Sequence, residues 1–184
     1  MSLGVVSVRY ARALLEYSVE QHVEDVMYEN MHHLLSAFMQ NREFVLVLQD
    51  PSLSVKEKVE LLCSAVGSPI DEYRRFSDML IRKGREEYIR FVAHAYIMLY
   101  RKIKNIIPVK LTTAYEPDSH LLQSIVELVK GDSQQVSVEL DNVIDSSIIG
   151  GFVIDADSLR LDASVKGELN RIERSLVDDS RRLI

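Results

Sequence analysis

Histidine and cysteine often carry catalysis or bind metals, and this chain has five histidines and one cysteine. His32 and His33 are adjacent, so on a helix their rings would point about 100° apart and could not share one metal ion. Cys63 has no second cysteine to pair with, and its place on a predicted helix favours a small buried apolar side chain. No arrangement of Ser or Cys with His and Asp is visible. We therefore predict no catalytic residue, no metal and no cofactor.

A pair of glycines followed by three aspartates is a second candidate for ligand chemistry. Gly150-Gly151 lacks the Gly-x-x-x-x-Gly-Lys spacing of a phosphate loop, and we predict that it lies inside a strand spanning 148–154. Glycine there would allow a close backbone approach or a bulge. Asp155, Asp157 and Asp162 lack the glycine and the closing glutamate of a calcium loop. We expect them to serve turns, with Asp162 as the N-cap of the last helix.

Anionic partners are suggested by two further features, and both have simpler explanations. Lys83-Gly84-Arg85 could hold an anion, but it also fits a helix end with exposed basic residues. The helices on either side of Gly67 could form a helix-turn-helix, yet a recognition helix opening at Pro69 would carry mixed charge. The net charge of −6 gives no broad attraction to nucleic acid or to an anionic membrane surface. We predict no nucleic-acid binding.

Helical spacing of apolar residues dominates the first hundred positions. The predicted helices span about residues 5–21, 23–39, 43–48, 54–67, 69–84 and 86–104. Ser54 and Glu57 form a capping box that opens the fourth helix, and Gly67 is a good residue to end it. The first helix is apolar on more than half of its circumference, whereas a surface helix needs only one apolar stripe. It is therefore either central in a bundle or has a second face for a partner.

The last eighty residues change to a mixture of alternating and helical patterns. Alternation predicts strands at about 109–114, 136–140, 148–154 and 159–161, with a turn at 155–158 between the last two. Helical spacing predicts helices over about 117–130 and from 162 onward. The expected fold class is mainly α: an N-terminal six-helix bundle, residues 1–105, followed by a small α/β domain, residues 106–184.

Membrane-spanning and targeting segments are not expected. The longest apolar run without a formal charge, 91–100, is well short of the roughly 20 residues that a spanning helix needs. The N-terminus has no basic region followed by a long apolar stretch, so we predict no signal or transit peptide. The chain is expected to be cytoplasmic, or peripheral on a larger assembly.

Three segments resemble a known family. Tyr10-Ala11-Arg12-Ala13-Leu14 is similar to its first-helix motif, and Phe76 to Arg85 is similar to its mid-chain stretch. The most specific segments run from Asp145 to Ile154 and from Asp162 to Leu169. They contain an acidic residue, an apolar pair, two glycines, an apolar strand and then Asp-x-Ser-Val. The family is the delta subunit of the bacterial F-type ATP synthase, with the mitochondrial oligomycin-sensitivity-conferring subunit as a relative. Ala156 and Ala163 depart from its usual turn residues.

The resemblance implies a mechanical role without an active site. It implies a non-catalytic subunit of the peripheral stalk in a proton-translocating ATP synthase, which resists rotor torque during ATP synthesis. Residues 1–105 would bind the N-terminal helix of an alpha subunit, and residues 106–184 would bind the b subunits. One copy per complex would lie on the cytoplasmic side of the bacterial inner membrane, peripheral and without membrane insertion.

The resemblance also implies a groove between the first helix and the helix that opens at Glu86, where an amphipathic alpha-subunit helix would lie. The residues expected to line it are Tyr10, Ala13, Leu14, Tyr17, Tyr88, Val92, Tyr96 and Leu99. Each of these could instead belong to the core, since helical apolar spacing marks burial against any neighbour. Two other interpretations stay open: a stand-alone adaptor that binds some other helical peptide, and a small enzyme with dispersed catalytic residues.

Overall fold

The computed structural model of the chain describes residues 3–41, 43–131, 136–156 and 159–182. The chain divides into two compact units, Met1–Ile103 and Lys104–Ile184. The predicted boundary after residue 105 lies beside this division. The described part of the first unit contains six α-helices, and that of the second contains a four-stranded sheet with two α-helices. The expected fold class, mainly α with a small α/β part, is confirmed.

The helices of the first unit follow the predicted order. They are α1 (Leu3–Glu20), α2 (Glu24–Gln40), α3 (Glu43–Gln49), α4 (Val55–Val66), α5 (Asp71–Arg82) and α6 (Ile89–Ile103). The sixth helix was expected to open at Glu86, but Glu86–Tyr88 is a 3₁₀ turn and the α-helix begins only at Ile89. No helix in the described ranges is long and apolar enough to cross a membrane.

The centre of the first unit is α6, which packs against both α1 and α2. Val92, Ala93 and Tyr96 of α6 are fully buried there. The predicted capping box on α4 is confirmed: the Ser54 hydroxyl accepts from the Glu57 amide, and the Glu57 carboxylate accepts from the Ser54 amide at 2.8 Å. These paired bonds satisfy two amides that the helix itself cannot satisfy, so the start of α4 is encoded locally.

The second unit is built around a mixed sheet. Its elements are β1 (Ile106–Thr113), α7 (Ser119–Lys130), β2 (Ser137–Ile144), β3 (Gly151–Ala156), β4 (Leu159–Ser164) and α8 (Val165–Arg182). The strand order is β2-β1-β3-β4, in which β1 and β2 are parallel and the other neighbours are antiparallel. A parallel pair needs a crossover, which α7 supplies. Its Ile125 packs on Val109, Leu111 and Ile154 to form the core.

The stretch 148–154 is not one continuous strand, which corrects the sequence-based expectation. Ser146–Ile148 forms a 3₁₀ turn whose start is bonded by the Asp145 carboxylate, which accepts from the Ser147 amide at 2.9 Å. Ile149 follows with a φ of 72°, and β3 begins only at Gly151. The apolar pair Ile148-Ile149 suggested a strand, but only Ile148 is buried. The close backbone approach predicted for the glycines is confirmed at Gly151, which faces the backbone of β4.

The N-cap of the last helix is Ser164, and this corrects the assignment to Asp162. Asp162 lies within β4, and α8 begins at Val165. The Ser164 hydroxyl accepts from the Gly167 amide at 3.0 Å, as an N-cap does. Asp162 Oδ1 in turn accepts from the Ser164 hydroxyl at 2.6 Å and from its amide at 3.0 Å. These two bonds lower the pKa of Asp162. Residues 157 and 158 of the predicted turn lie outside the described residues.

Replacing Ser164 by alanine should raise the pKa of Asp162 toward its ordinary value, because the hydroxyl bond is the largest cause of the lowering. The folded-state pKa is depressed, so this stabilisation is present above the ordinary carboxyl pKa and lost as the pH falls through the lowered one. Carbon-detected NMR titration of the side-chain carboxyls measures the pKa of Asp162 in the unaltered chain and in the variant. Asp145 is the internal control, since its pKa is lowered by Ser147 and should not change. An unshifted Asp162 in the variant would contradict this account.

Candidate protein-binding site

An apolar groove runs between α1 and α5 and encloses about 300 Å³. Its walls consist of Tyr10, Ala13, Leu14 and Tyr17 from α1 and Glu72, Arg75, Phe76 and Met79 from α5. Both sets recur at positions i, i+3, i+4 and i+7, which lie on one face of a helix. Two neighbouring helices with mostly apolar side chains between them form the kind of surface that accepts a third helix.

The large apolar circumference of α1 is explained by this groove. One face of the helix points into the core of the unit, where Ala11 and Leu15 are buried. A second face carries the groove residues, of which Tyr17 is 36% exposed. The same division holds on α5, where Tyr73 and Leu80 are in the core while Phe76 and Met79 are only partly buried. Each of the two helices therefore has one face in the core and a second, partly exposed face that lines the groove.

The structure separates the eight residues predicted for the groove. The four on α1 line it, whereas the other four lie on α6 and the turn before it. Val92 and Tyr96 are 0% exposed, so no partner could touch them. Burial raises the pKa of Tyr96 to about 12, and its hydroxyl donates to the Glu24 carbonyl at 3.3 Å. Tyr88 and Leu99 are half-buried and do not line the groove. The wall that faces α1 across this groove is α5.

The α5 residues are not among those predicted for the groove. Glu72, Arg75, Phe76 and Met79 nevertheless follow the same spacing as the α1 set. This helix has more apolar positions than its buried face needs, as α1 does. That shared excess is the sequence signal that could have paired the two helices.

One end of the groove is closed by an aromatic–cation contact. The Arg85 guanidinium donates a hydrogen bond from Nη1 to the Tyr10 hydroxyl. The same guanidinium lies 5.3 Å from the centroid of the Tyr10 ring, and the Lys83 ammonium lies 6.0 Å from it. Both distances are within the range of cation–π attraction. Tyr10 is thus held in one orientation, with the predicted basic turn Lys83-Gly84-Arg85 packed beside it.

The second unit has its own apolar cleft, between α7 and the β3–β4 edge of the sheet, with a volume of about 520 Å³. Its lining consists of Ile107, Leu128, Val129, Ile154, Ala156, Leu159, Arg160 and Leu161. Leu159 is 77% exposed and Leu128 is 64% exposed. Large apolar side chains that are exposed together mark sites of protein association.

Helix α8 presents a further apolar stripe in the same unit. Val165, Leu169 and Ile172 recur at intervals of four and three residues and are about half exposed. Nearby, Arg171 bridges to the Glu168 carboxylate at 2.9 Å, which leaves a charged border beside the stripe. A helix with one apolar stripe and charged neighbours is suited to pack against another helix. Leu176, which was also predicted on this face, has a side chain outside the described part.

The two-unit fold can now be compared with known proteins. The family model for the ATP synthase delta (OSCP) subunit matches residues 6–176. The chain belongs to this family. The ATP synthase subunit delta of Bacteroides thetaiotaomicron is 37% identical over 100% of both chains. That of Lactobacillus acidophilus is 30% identical over 98% of this chain and 99% of its own length.

A solved structure has the same fold as this delta-family chain. The match is to a chain in the cryo-EM structure of the Toxoplasma gondii mitochondrial ATP synthase hexamer, with a TM-score of 0.66 and 22% identity. It covers 93% of this chain and 97% of the other. The resemblance read from the three sequence segments is therefore confirmed.

Two residues first considered for catalysis or metal binding, His32 and Cys63, pack against other side chains in this delta-family chain. His32 packs edge-on against Tyr28 with ring centroids 4.6 Å apart, and its Nε2 lies 3.5 Å from the Arg101 guanidinium. Cys63 is buried, as expected, and burial raises the pKa of its thiol, which makes it a poor nucleophile. Across the described ranges, no group of three or more His, Cys, Asp or Glu side chains could hold a metal ion.

Proposed function

We propose that this chain is a non-catalytic connector in a proton-translocating F-type ATP synthase. It joins the catalytic head to the b subunits of the peripheral stalk and resists the torque of the rotor during ATP synthesis. It acts as one copy per complex on the cytoplasmic side of the bacterial inner membrane. The observation that carries the proposal is the apolar groove between α1 and α5 in a chain of the delta (OSCP) family. A connector needs a surface for each partner, and each unit has one.

The groove is proposed to bind the N-terminal helix of an alpha subunit. An amphipathic helix can lay its apolar face between α1 and α5 and reach the apolar side chains between them. Ala13 is exposed in the middle of the α1 wall, and its small side chain lets a partner backbone approach closely. The aromatic residues Tyr10, Tyr17 and Phe76 supply large, rigid contact surfaces of the type that dominates binding energy.

The second unit is proposed to bind the ends of the b subunits. Two apolar surfaces support this: the cleft beside β4 and the stripe on α8. Stalk proteins that transmit force as long helices would present apolar stripes of their own, and helices pack stripe against stripe.

Co-purification tests the proposed function directly. Membranes from the source cells, solubilised mildly, should yield this chain together with alpha, beta and b subunits at one copy per complex. A solitary chain with catalytic turnover would contradict the proposal and favour a small enzyme. A solitary chain that captures unrelated helical peptides would favour the stand-alone adaptor, because the same groove would serve it.

Leu159→Glu should weaken binding of a peptide from the C-terminal end of a b subunit about tenfold or more. Leu159 is 77% exposed, so the folded chain tolerates a carboxylate, but docking would remove that charge from water. Calorimetric titration of the full chain with the peptide measures the change. Ile144→Glu is the matched control, since Ile144 is 57% exposed on β2 at the opposite edge of the sheet. Equal affinities for both variants would exclude the cleft as the stalk contact.

A further inference from the structure

The sheet of the second unit has two edges, β4 and β2, and the β4 edge is protected by side chains. The Val165 amide donates to the Gly150 carbonyl at 3.0 Å and so continues the β3–β4 ladder. Because successive residues of a strand face opposite sides, Asp162 and Ser164 direct their backbone groups away from β3. Arg171 Nη2 donates to the Asp162 carbonyl at 2.8 Å, and the Asp162 carboxylate accepts from the Ser164 amide at 3.0 Å. These bonds leave little of the β4 edge for a further strand.

The β2 edge is different. In the parallel pair with β1, the Ser137 amide donates to the Asn105 carbonyl at 3.1 Å, and the Asp145 amide donates to the Thr113 carbonyl at 2.8 Å. These bonds at the two ends of the strand show that the odd-numbered residues of β2 face β1. The even-numbered residues therefore face away from it. Within the described residues, no hydrogen bond reaches the backbone amides and carbonyls of Val138, Leu140, Asn142 and Ile144.

The side chains of β2 form two rows of different chemistry. Val138 and Leu140 pack against the core on the α7 face, and Ile144 in the same row is 57% exposed. Glu139 and Asp141 lie on the opposite face, where Asp141 is exposed to solvent. A strand added beside β2 would place its own side chains in the same two rows. It would therefore meet apolar side chains on one face and carboxylates on the other.

The charge at this edge is acidic even when the neighbouring cation is included. Lys110 of β1 is the register partner of Asp141, so it offsets part of the charge. On its other side, however, Lys110 is also the register partner of Asp155 of β3. A strand outside β2 would meet Glu139 and Asp141 first, with one shared lysine behind them.

This charge disfavours a second copy of the chain as the added strand. Two β2 strands side by side would bring Glu139 and Asp141 of one copy next to those of the other. Like charges on neighbouring strands are destabilising. The net charge of −6 adds to the repulsion between copies. The edge therefore favours a partner of opposite charge.

We propose that the β2 edge binds an extended segment of a partner protein in which apolar and basic residues alternate. The segment adds a fifth strand to the sheet, and its backbone pairs with the outward amides and carbonyls of β2. Backbone pairing supplies the affinity, and the two rows of side chains supply the specificity. The site lies at the edge opposite the β3–β4 cleft, so it does not depend on the binding of b subunits there.

Hydrogen exchange read by NMR on the full-length ¹⁵N-labelled chain tests the pairing. The probe is an octapeptide of alternating valine and lysine, blocked at both ends and as long as β2. At saturation it should slow exchange of the four outward amides of β2 about tenfold or more, because they gain acceptors. The odd-numbered amides already bond to β1 and should exchange as before.

An octapeptide of four valines followed by four lysines is the matched control, since it has the same composition and charge without the alternation. It should leave the outward amides unprotected. Equal protection by the two peptides, or protection by neither, would overturn the proposal. Slow exchange of the same amides that appears only at high concentration of the unaltered chain would assign the edge to a second copy and overturn the choice of partner.

A charge reversal gives an independent readout. Asp141→Lys should weaken binding of the valine–lysine peptide about fivefold at low salt, and the loss should shrink as salt screens the charges. The same variant should bind an alternating valine–glutamate peptide more tightly than the unaltered chain does. Glu127→Lys is the matched control, because Glu127 is likewise exposed in the second unit but lies on α7. Equal losses for Asp141→Lys and Glu127→Lys would contradict the assignment to the β2 edge.

Discussion

Replacing Ala13 by glutamate should lower the affinity for the alpha-subunit peptide about 100-fold or more while leaving the chain folded. Ala13 is exposed on the α1 wall, opposite Phe76 and Met79, so the unbound chain keeps its new carboxylate in water. A docked helix would bury that carboxylate against apolar side chains. Burial of a poorly paired charge costs about 3 kcal/mol or more, and each 1.4 kcal/mol is a factor of about ten in affinity. Isothermal titration calorimetry measures the loss.

Val8→Glu is the matched control for this prediction. Val8 is 41% exposed on α1, and it is not part of the groove wall. The variant gains the same carboxylate on the same helix, so it should keep the affinity of the unaltered chain. Circular dichroism should show equal helix content for both variants. A folded Ala13→Glu chain that binds as tightly as the control would exclude the α1–α5 groove as the binding site.

Gly151→Ala should destabilise the second unit by about 4 kcal/mol or more, which is a large part of the roughly 5–15 kcal/mol that stabilises a typical domain. Gly151 has a φ of 73°, which costs a residue with a Cβ about 1–2 kcal/mol. The added Cβ would also overlap the Ala163 carbonyl oxygen and lie 3.2 Å from Ser164 Cα. These neighbours are backbone atoms of a paired strand, so they cannot move aside without breaking the β3–β4 ladder.

Hydrogen exchange read by mass spectrometry separates this effect from global unfolding. Peptides from β1, β3 and β4 should lose protection in Gly151→Ala, while those from α1 to α6 should keep it, since the two units are separately compact. Gly131→Ala is the matched control: Gly131 has a φ of 51° but nothing within 4 Å of an added Cβ. Gly131→Ala should lower the free energy of unfolding by only the roughly 1–2 kcal/mol that a positive φ costs a residue with a Cβ. Similar exchange in both variants would disprove the steric account.

The Gly150-Gly151 pair shows how the most specific sequence motif acts. These glycines and the aspartates after them first suggest a ligand site, and their spacing argued against one. The structure gives two of these residues a role in folding: Gly151 permits close approach of β4, and Asp162 supports the Ser164 cap. These glycines and Asp162 therefore identify the family because they specify the fold, whereas Ile154, Val165 and Leu169 of the same segments also belong to the surfaces proposed for the b subunits.

Local signals in the sequence determined most of the secondary structure. The capping box at Ser54 and the glycine at position 67 fixed both ends of α4, since caps depend only on neighbouring backbone groups. Alternation and helical spacing predicted the strands and helices in the right order, and this order predicted the fold class. Local signals were misleading at Ile149, because an apolar β-branched residue normally indicates a strand and here takes a positive φ after a 3₁₀ turn.

Only the tertiary structure decided which apolar faces meet. The sequence by itself determined that α1 has more apolar surface than one contact needs, and it placed Tyr10, Ala13, Leu14 and Tyr17 on one face of that helix. It did not determine that α6 would pack against both α1 and α2, or that α5 would form the second wall of the groove. The physical reason is that helical apolar spacing indicates that a face is buried, but it does not indicate which element covers that face. The neighbour of each face depends on how all six helices pack together.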